Sequence, residues 1–316
     1  MHPGETVNRR SFLAKLATVT AAASLLDARR SSAADSGRAP LTVSDVGDRL
    51  FVISGGGGNV TVFHTDEGVL LVDGGSPERS AEVLKLVKKR TGAAKIHTLF
   101  NTHWHWDQTG SNLTLGRAGT RIIAHENTRL WLTTDVDSKW EHRTYPPLRK
   151  EALPNHTFYA TEKISFGGET IDFGYLSQAH TDGDIYVFFR NANVLIAGGV
   201  LSVGSYPILD YCTNGWIGGM ANATQTLAGL CNPNTRLIPG TGPVQTPTDL
   251  AAEQAMLVAM KLALSKLLAK GMSVQDMLAA TPTRDFDAKW GDPTLFVANA
   301  WPGLVARARE LGVSIV

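Results

Sequence analysis

The chain has 316 residues, of which 43% are hydrophobic, and its formal net charge at pH 7 is +1. This length and apolar content are enough for one large domain with a buried core, and they favour an α/β fold. The near-neutral charge gives no basic surface for nucleic acid or an anionic membrane, so we expect neither partner.

The N-terminal residues are typical of an export signal. The run Asn8-Arg9-Arg10-Ser11-Phe12-Leu13 resembles the twin-arginine signal. The mildly apolar stretch that follows is too short for a membrane helix in the mature protein, and small residues for cleavage come before residue 35. We therefore expect residues 1–34 to be a signal peptide recognised by the twin-arginine export machinery, and the mature protein to be periplasmic or secreted. An N-terminal amphipathic helix that stays in place is the alternative.

Apolar periodicity and turn residues predict a regular succession of strands and helices after residue 40. Strands are predicted at residues 50–54, 60–64, 69–72, 96–100, 121–124, 164–166, 170–173, 176–177, 185–189 and 194–197. Helices are predicted at residues 77–90, 111–115, 126–133, 247–270 and 293–311. Residues 136–153 are expected to form a long surface loop, which is a candidate for one wall of a binding site. Ser76 is expected to cap the first helix. The four glycines at residues 55–58 indicate a flexible hairpin tip, or alternatively a flap over a binding site.

The most informative stretch is residues 101–110, where two histidines and a carboxylate follow an apolar strand. On an extended segment, His103 and His105 point to the same side and can share one metal ion through their imidazole nitrogens. Asp107 lies two residues further on. This spacing favours a metal site over two hydrogen-bonded core histidines.

Four further motifs extend the pattern, and together they resemble the metallo-β-lactamase superfamily. They are Asp73-Gly74, residues 179–184 with His180, residues 193–199, and residues 237–243. The resemblance implies a four-layer αβ/βα sandwich over residues 41–270. Residues 271–316 are then expected to be a C-terminal helical extension that packs on this domain.

The departures from the family pattern all concern the second of its two metal ions. His103, His105 and His180 match the three ligands of the first ion. Gln108, Gly199 and Thr241 stand where the resemblance implies further ligands, and amide or hydroxyl oxygens bind zinc weakly compared with imidazole. We therefore expect one Zn²⁺ per chain. Cys212 as a substitute ligand, and a domain that no longer binds metal, are the alternatives.

A zinc ion held by three neutral imidazoles lowers the pKa of its water to about 7, which predicts a hydrolase. Asp107 is expected to orient that water and accept its proton, and Gln108 to donate to a substrate oxygen. Asp73 is expected to hold one of the histidines, and Thr241 to lie beside the ligands. Candidates for the walls of the substrate pocket are Trp104, Tyr206 and Trp216.

Loss of the second ion removes the usual help for a poor leaving group. We therefore expect a small-molecule substrate with an activated acyl bond, namely an ester, thioester or lactone, ahead of a β-lactam. A non-catalytic exported binding protein and an iron-dependent enzyme are the competing hypotheses, since imidazole suits iron as well as zinc. Cys212 and Cys231 would be exposed to an oxidising compartment, where a disulfide is permitted but cannot be placed from sequence.

Overall fold

The computed structural model describes residues 40–93 and 95–310. The predicted signal peptide, residues 1–34, lies outside the described residues. Two sheets and nine α-helices account for most of the described chain.

The first sheet has seven strands in the order β1-β2-β3-β4-β5-β6-β9. Its strands are Thr42–Gly47 (β1), Leu50–Gly56 (β2), Gly58–Thr65 (β3), Gly68–Val72 (β4), Ile96–Phe100 (β5), Arg121–His125 (β6) and His156–Phe158 (β9). The strands β1 to β4 form an antiparallel meander, whereas β4, β5, β6 and β9 run parallel. Loops that leave the parallel strands therefore emerge at one edge of the sheet, which is where functional residues of α/β proteins gather.

The second sheet has five strands in the order β10-β11-β12-β13-β14. They are Thr161–Phe166 (β10), Glu169–Tyr175 (β11), Ile185–Phe189 (β12), Val194–Gly198 (β13) and Arg236–Pro239 (β14). Only β13 and β14 are parallel. A separate short hairpin consists of Val136–Ser138 (β7) and Arg143–Tyr145 (β8).

The helices cover the outer faces of the two sheets, and their bounds are as follows. They are Ser80–Thr91 (α1), Trp106–Thr109 (α2), Asn112–Arg117 (α3), Glu126–Trp131 (α4), Ile217–Leu230 (α5), Pro247–Leu268 (α6), Val274–Ala279 (α7), Arg284–Trp290 (α8) and Thr294–Glu310 (α9). Lys150–Ala152 and Tyr211–Thr213 are short 3₁₀ helices. Among the described residues, no helix combines the length and the apolarity that crossing a bilayer requires.

Alternation along the strands produces the predicted four-layer sandwich. Leu50 and Val52 belong to a core between the two sheets, whereas Phe51 and Ile53 pack in a second cluster with Val83 of α1. Successive side chains of a strand point to opposite faces, so a sheet with apolar residues at every position needs a layer on each side. The second sheet behaves in the same way, with its outer face covered by α5, α6 and the C-terminal helices.

Several predicted elements differ from those observed. Helix α1 begins at Ser80 rather than at residue 77, so Ser76 does not cap it; residues 77–79 form a turn first. The predicted loop at residues 136–153 contains the β7–β8 hairpin, and residues 176–177 are not a strand because β11 ends at Tyr175. The predicted pattern also lacked β1, β9, β14, α2, α5, α7 and α8.

The C-terminal helices pack on the second sheet's helical layer. Trp290 and Phe296 are buried in one cluster with Leu257 of α6. Tyr206, from the loop after β13, stacks on Phe296 with a ring-centroid distance of 5.0 Å. The C-terminal segment therefore forms part of the same apolar core as α6.

Candidate metal centre

The loop that carries His103 and His105 follows β5 and is fixed by hydrogen bonds from both sheets. The N–H of Asn101 donates to the carbonyl of Ile123 in β6, at 2.9 Å. The N–H of Ile185, at the start of β12, donates to the carbonyl of Thr102 at 2.9 Å. The loop is therefore held between the first sheet and the second just before His103.

Three histidines from two distant segments converge at this loop. One ring nitrogen from each of His103, His105 and His180 lies within 4.8 Å of the others, and all three residues are buried. Nε2 of His180 approaches Nδ1 of His105 to 3.0 Å. His180 reaches the loop because it follows β11, in the short connection to β12.

The second nitrogen of each ring is occupied by a neighbour, which determines which nitrogen can bind a metal. Nδ1 of His103 lies 3.0 Å from Oγ1 of Thr102, and Nδ1 of His180 lies 2.8 Å from the carbonyl oxygen of Ile208. Nε2 of His105 lies 3.2 Å from Oδ2 of Asp210. The lone pairs that remain are on Nε2 of His103, Nδ1 of His105 and Nε2 of His180.

Asp73 acts on His103 through Thr102. Its carboxylate accepts from both the backbone N–H and the hydroxyl of Thr102, at 2.8 Å each. Because the hydroxyl hydrogen points to Asp73, the oxygen is left to accept from Nδ1–H of His103. Burial raises the pKa of Asp73 to about 8, and the two Thr102 hydrogen bonds oppose that rise. The predicted contact between Asp73 and a histidine is therefore indirect.

Electrostatics keep two of the three histidines neutral. Burial, together with the neighbouring histidines, lowers the pKa of His103 well below its ordinary range and that of His180 to about 4. Burial also acts to lower the pKa of His105, but the hydrogen bond and charge of Asp210 outweigh it and raise that pKa. Asp210 in turn has a pKa of about 2, because its bonds to His105 and Thr213 outweigh the effect of its own burial.

The three histidines fit one metal ion of the kind that imidazole binds, such as zinc, with one nitrogen from each ring as a ligand. Two imidazole nitrogens bound at about 2.0–2.1 Å to one tetrahedral zinc lie roughly 3.3 Å apart. The separation of 3.0 Å between His180 and His105 is close to that distance. Metal ligands also need a partner on the other ring nitrogen to fix their orientation, and all three rings have one. Within residues 40–93 and 95–310, no other group of three or more ligand side chains could hold a metal ion.

The side chain of Gln108 lies between the cavity and Gly58. A Cβ on Gly58 would lie 2.4 Å from the Gln108 side-chain nitrogen, so the amide fills the space that the glycine leaves. A side-chain hydrogen bond from Gln108 lowers the pKa of Asp107, although burial, the largest influence, raises it overall. Oε1 of Gln108 is buried without a hydrogen-bond partner among the described residues. Gln108 thus lines the cavity and contacts the carboxylate of Asp107, and its predicted donation to a substrate oxygen stays a prediction.

Gly199 is the least replaceable of the three altered positions. A Cβ at Gly199 would lie 2.2 Å from Cδ2 and 2.8 Å from Nε2 of His180, well inside van der Waals contact. The ring of His180 therefore occupies the volume that any side chain at residue 199 would need. Thr241 is exposed at the rim of the same cavity.

A cavity of about 330 Å³ opens over the three histidines. Its polar lining includes Asp107, Gln108, Glu141 and Thr241, and its apolar and aromatic lining consists of Trp106, Trp140, Leu201, Val203, Tyr206 and Ile208. The hairpin β7–β8 contributes Trp140 and Glu141, and the loop after β13 contributes the aliphatic wall.

The three aromatic residues predicted for the pocket lie in different places. Tyr206 lines the cavity, but its hydroxyl donates to Asp287, at 2.9 Å, and so is turned towards the C-terminal helices. Trp104 is buried and does not line the cavity: its indole N–H donates to Thr213, and its ring lies edge-on to the ring of His105 at a centroid distance of 4.5 Å. Trp216 lines a separate groove beside α9, with Arg307 over its ring at 4.9 Å.

Sequence reasoning missed three residues of the site, namely Asp210, Trp140 and Glu141. Asp210 is fully buried and accepts from His105, from Thr213 and, at 3.1 Å, from the indole N–H of Trp140. A lone carboxylate in an aromatic loop carries no ligand spacing. The available signal was the position of Asp210 in the sequence, four residues after Tyr206, which was predicted to line the pocket. Cys212 and Cys231 are free thiols, and Cys212 does not belong to the histidine cluster.

Comparison with known proteins gives the class to which this fold and site belong. Residues 53–254 match the family model described as the metallo-beta-lactamase superfamily. The match covers more than half of the chain, and the chain therefore belongs to that superfamily.

Individual relatives are distant. The 2,4-dinitroanisole O-demethylase subunit alpha of Nocardioides sp. (strain JS1661) is 24% identical over 182 residues, which are 56% of this chain and 52% of the relative. The chain thus matches about half the length of that relative. A stereoselective inverting sec-alkylsulfatase from Pseudomonas sp. has a TM-score of 0.65 at 16% identity, covering 87% of this chain and 51% of that one.

A metallo-beta-lactamase from Pontibacter korlensis has a TM-score of 0.55 at 18% identity, covering 69% of this chain and 99% of that one. At such low identity, the likeness to the two solved structures concerns the fold.

Proposed function

We propose that the protein is a hydrolase with one zinc ion, held by His103, His105 and His180, that cleaves an activated acyl bond in an ester, thioester or lactone. The observation that carries this proposal is the combination of three convergent imidazole nitrogens with a blocked second site. The Gly199 position is filled by the His180 ring, and the Gln108 amide is packed on Gly58.

When bound, zinc supplies an activated water and polarises a carbonyl oxygen. The chain itself supplies the base and the substrate walls. The carboxylate of Asp107 lines the cavity beside the histidines, where it can orient a water and accept its proton. Gln108 holds Asp107 by a side-chain hydrogen bond. The side chains of Leu201, Val203 and Ile208 offer an apolar surface for the body of a small-molecule substrate.

A second candidate is cleavage of an activated aryl ether. It is favoured by the likeness to the 2,4-dinitroanisole O-demethylase subunit, together with the aromatic rings of Trp106 and Trp140 in the cavity wall. The same three histidines and Asp107 would serve this reaction, since it also needs an activated water. The two candidates are distinguished by measuring turnover of aryl esters and aryl methyl ethers that carry the same nitroaromatic group. Turnover of the esters alone favours the acyl hydrolase, and turnover of the ethers favours the second candidate.

The first experiment is metal content per chain by elemental analysis, on wild-type protein and on a His103→Ala, His105→Ala double variant. His156→Ala is the matched control, because His156 is a partly exposed histidine that pairs with Glu162 outside the cluster. We expect about one zinc per chain in the wild type and in the control, and none in the double variant.

An acyl panel of aryl esters, thioesters and lactones then tests the reaction. Turnover that a chelator abolishes and zinc restores would support the proposal. Metal-dependent turnover of phosphodiesters with all acyl substrates inert would contradict it. Folded protein with no metal would favour a non-catalytic binding protein, and restoration by iron alone would favour the iron enzyme.

We further propose that the chain is exported through the twin-arginine machinery to the periplasm or beyond, on the sequence of residues 8–13. Replacement of Arg9 and Arg10 by Lys tests this proposal in cells. Retention of the variant inside the cell, with export of the wild type, is the expected result. Equal distribution of the two proteins would refute it.

A further inference from the structure

The charges that line the cavity are of one sign. Apart from the three histidines, the charged side chains of the lining are the carboxylates of Asp107 and Glu141. Among the described residues, no Lys or Arg lines this cavity. A site built to bind a carboxylate, sulfate or phosphate group normally provides a cation or a fork of N–H donors for it.

Glu141 is held at the cavity by the hairpin that carries it. The hydroxyl of Tyr145 donates to Oε1 of Glu141 at 3.0 Å. The neighbouring Trp140 is fixed by its bond to Asp210. The carboxylate therefore has a defined position on the wall facing the histidines, at the turn between β7 and β8.

No cation neutralises Glu141 within the described part of the chain, where it has no ion-pair partner. Arg143 of the same hairpin stacks over the rings of Trp106 and Tyr145, at 5.2 and 4.5 Å, and is not part of the cavity lining. Glu141 lines the same cavity as Asp107 and the three histidines. Its unneutralised charge therefore acts on any group that enters this cavity.

The balance of charge at the centre is unfavourable for an anion. The histidine ligands are neutral in the metal-binding form, so a divalent ion brings two positive charges. Asp107, Glu141 and the buried Asp210 behind His105 bring three negative ones. An anionic substrate would add a like charge in a partly desolvated cavity, where repulsion is stronger than in water.

We propose that Glu141 is a specificity-determining residue, which makes this cavity reject anionic substrates and accept uncharged acyl compounds. This inference rests on the proposed hydrolase function and adds the charge class of its substrate. It separates this site from one that takes a sulfate ester or another anion.

The test uses two 4-nitrophenyl esters that differ only in a terminal carboxylate on the acyl chain. The ratio of kcat/KM for the uncharged ester to that for the anionic ester is measured for wild type, Glu141→Gln and Glu67→Gln. Gln can still accept the Tyr145 hydrogen bond, and Glu67 is an exposed acid in the β3–β4 turn, away from the cavity lining. We expect this ratio to be above about ten in the wild type and to fall roughly fivefold to tenfold in Glu141→Gln. Added salt should lower the wild-type ratio, because it screens the charge of Glu141. Glu67→Gln should have the wild-type ratio.

A binding measurement on metal-free protein provides a readout without turnover. Calorimetry compares a dicarboxylate monoamide with the corresponding uncharged diamide. Glu141→Gln should improve binding of the anionic compound relative to the uncharged one, also by roughly fivefold to tenfold.

The two proposals fail in different ways. An unchanged ester ratio in Glu141→Gln, with the uncharged ester turned over, overturns the role of Glu141 and leaves the hydrolase intact. If neither ester reacts, the hydrolase proposal fails, and the binding comparison alone decides whether Glu141 discriminates by charge.

Discussion

Replacement of Gly199 by Ala should damage the metal centre through one methyl group. The added Cβ would lie 2.2 Å from Cδ2 of His180, whereas carbon atoms in good contact are about 3.5–4.0 Å apart. The imidazole ring of His180 must therefore move by more than roughly 1 Å. A zinc–nitrogen distance can change by only about 0.2 Å before the bond is weakened. We expect overpacking to cost about 1–3 kcal/mol of unfolding free energy, and zinc affinity to fall at least about tenfold to a hundredfold.

The assay is a chelator-competition titration for zinc affinity, with thermal unfolding of the metal-free protein alongside. Gly229→Ala is the matched control, because a Cβ there meets nothing within 4 Å and the residue lies in helix α5. A helical Gly→Ala change should stabilise the control by about 0.5–1 kcal/mol and leave zinc affinity unchanged. Wild-type zinc affinity in Gly199→Ala would refute the argument that His180 fills this volume.

Three further substitutions test interactions in and around the site. Asp210→Asn removes the charge that holds His105, and zinc affinity should fall about tenfold to a hundredfold in the same titration; an unchanged affinity would mean that Asp210 does not orient the ligand. Tyr206→Phe removes the hydroxyl bonded to Asp287, so chemical denaturation should show a loss of about 1–2 kcal/mol with kcat retained; a large loss of kcat at unchanged stability would place that hydroxyl in the reaction. Burial raises the pKa of Glu253 from its ordinary 4.5 to about 8, so the folded protein binds this proton more tightly than the unfolded chain does. The stabilising effect of this proton is full below pH 4.5 and is lost as the pH rises to about 8, by at most about 1.4 kcal/mol per pH unit. The stability of Glu253→Gln relative to wild type should rise over that window, and a pH-independent difference would contradict the shifted pKa.

Local patterns predicted the part of the fold that local physics determines. Strands β2, β3 and β4 were predicted correctly, because apolar runs between turn residues identify half-buried and buried strands. The convergence of His103, His105 and His180 was also predicted, since ligand spacing and the family resemblance both marked those residues. Each strand and each histidine motif can be recognised from a few neighbouring residues, and the family resemblance supplies the pairing of the distant motifs.

Helix α5 was not predicted, because glycines near both of its ends hide an otherwise helix-favouring sequence. It contains Gly218 and Gly219 in its first turn. A Cβ at Gly219 would lie 1.7 Å from the carbonyl oxygen of Gln178, so the helix needs a glycine there to pack closely. Tertiary contact overrides propensity at this position.

Asp210 could not be predicted for a related reason. Its partner His105 is 105 residues away in sequence, and its other partner Trp140 lies in a hairpin that was expected to be an irregular loop. Only the folded chain brings these three groups together. The parts of the site that orient and surround the ligands therefore depend on long-range contacts rather than on motifs.

Because Trp140 donates to Asp210, its fluorescence should report on the state of the metal centre. The indole N–H shares one carboxylate with His105, so a change at the ligand alters the field on the indole. Zinc titration should therefore change the emission of Trp140, measured as the difference between wild type and Trp140→Phe because the chain has seven tryptophans. We therefore expect the hairpin to carry an intrinsic fluorophore for occupancy of the metal centre, and an unchanged difference signal on saturation with zinc would contradict this expectation.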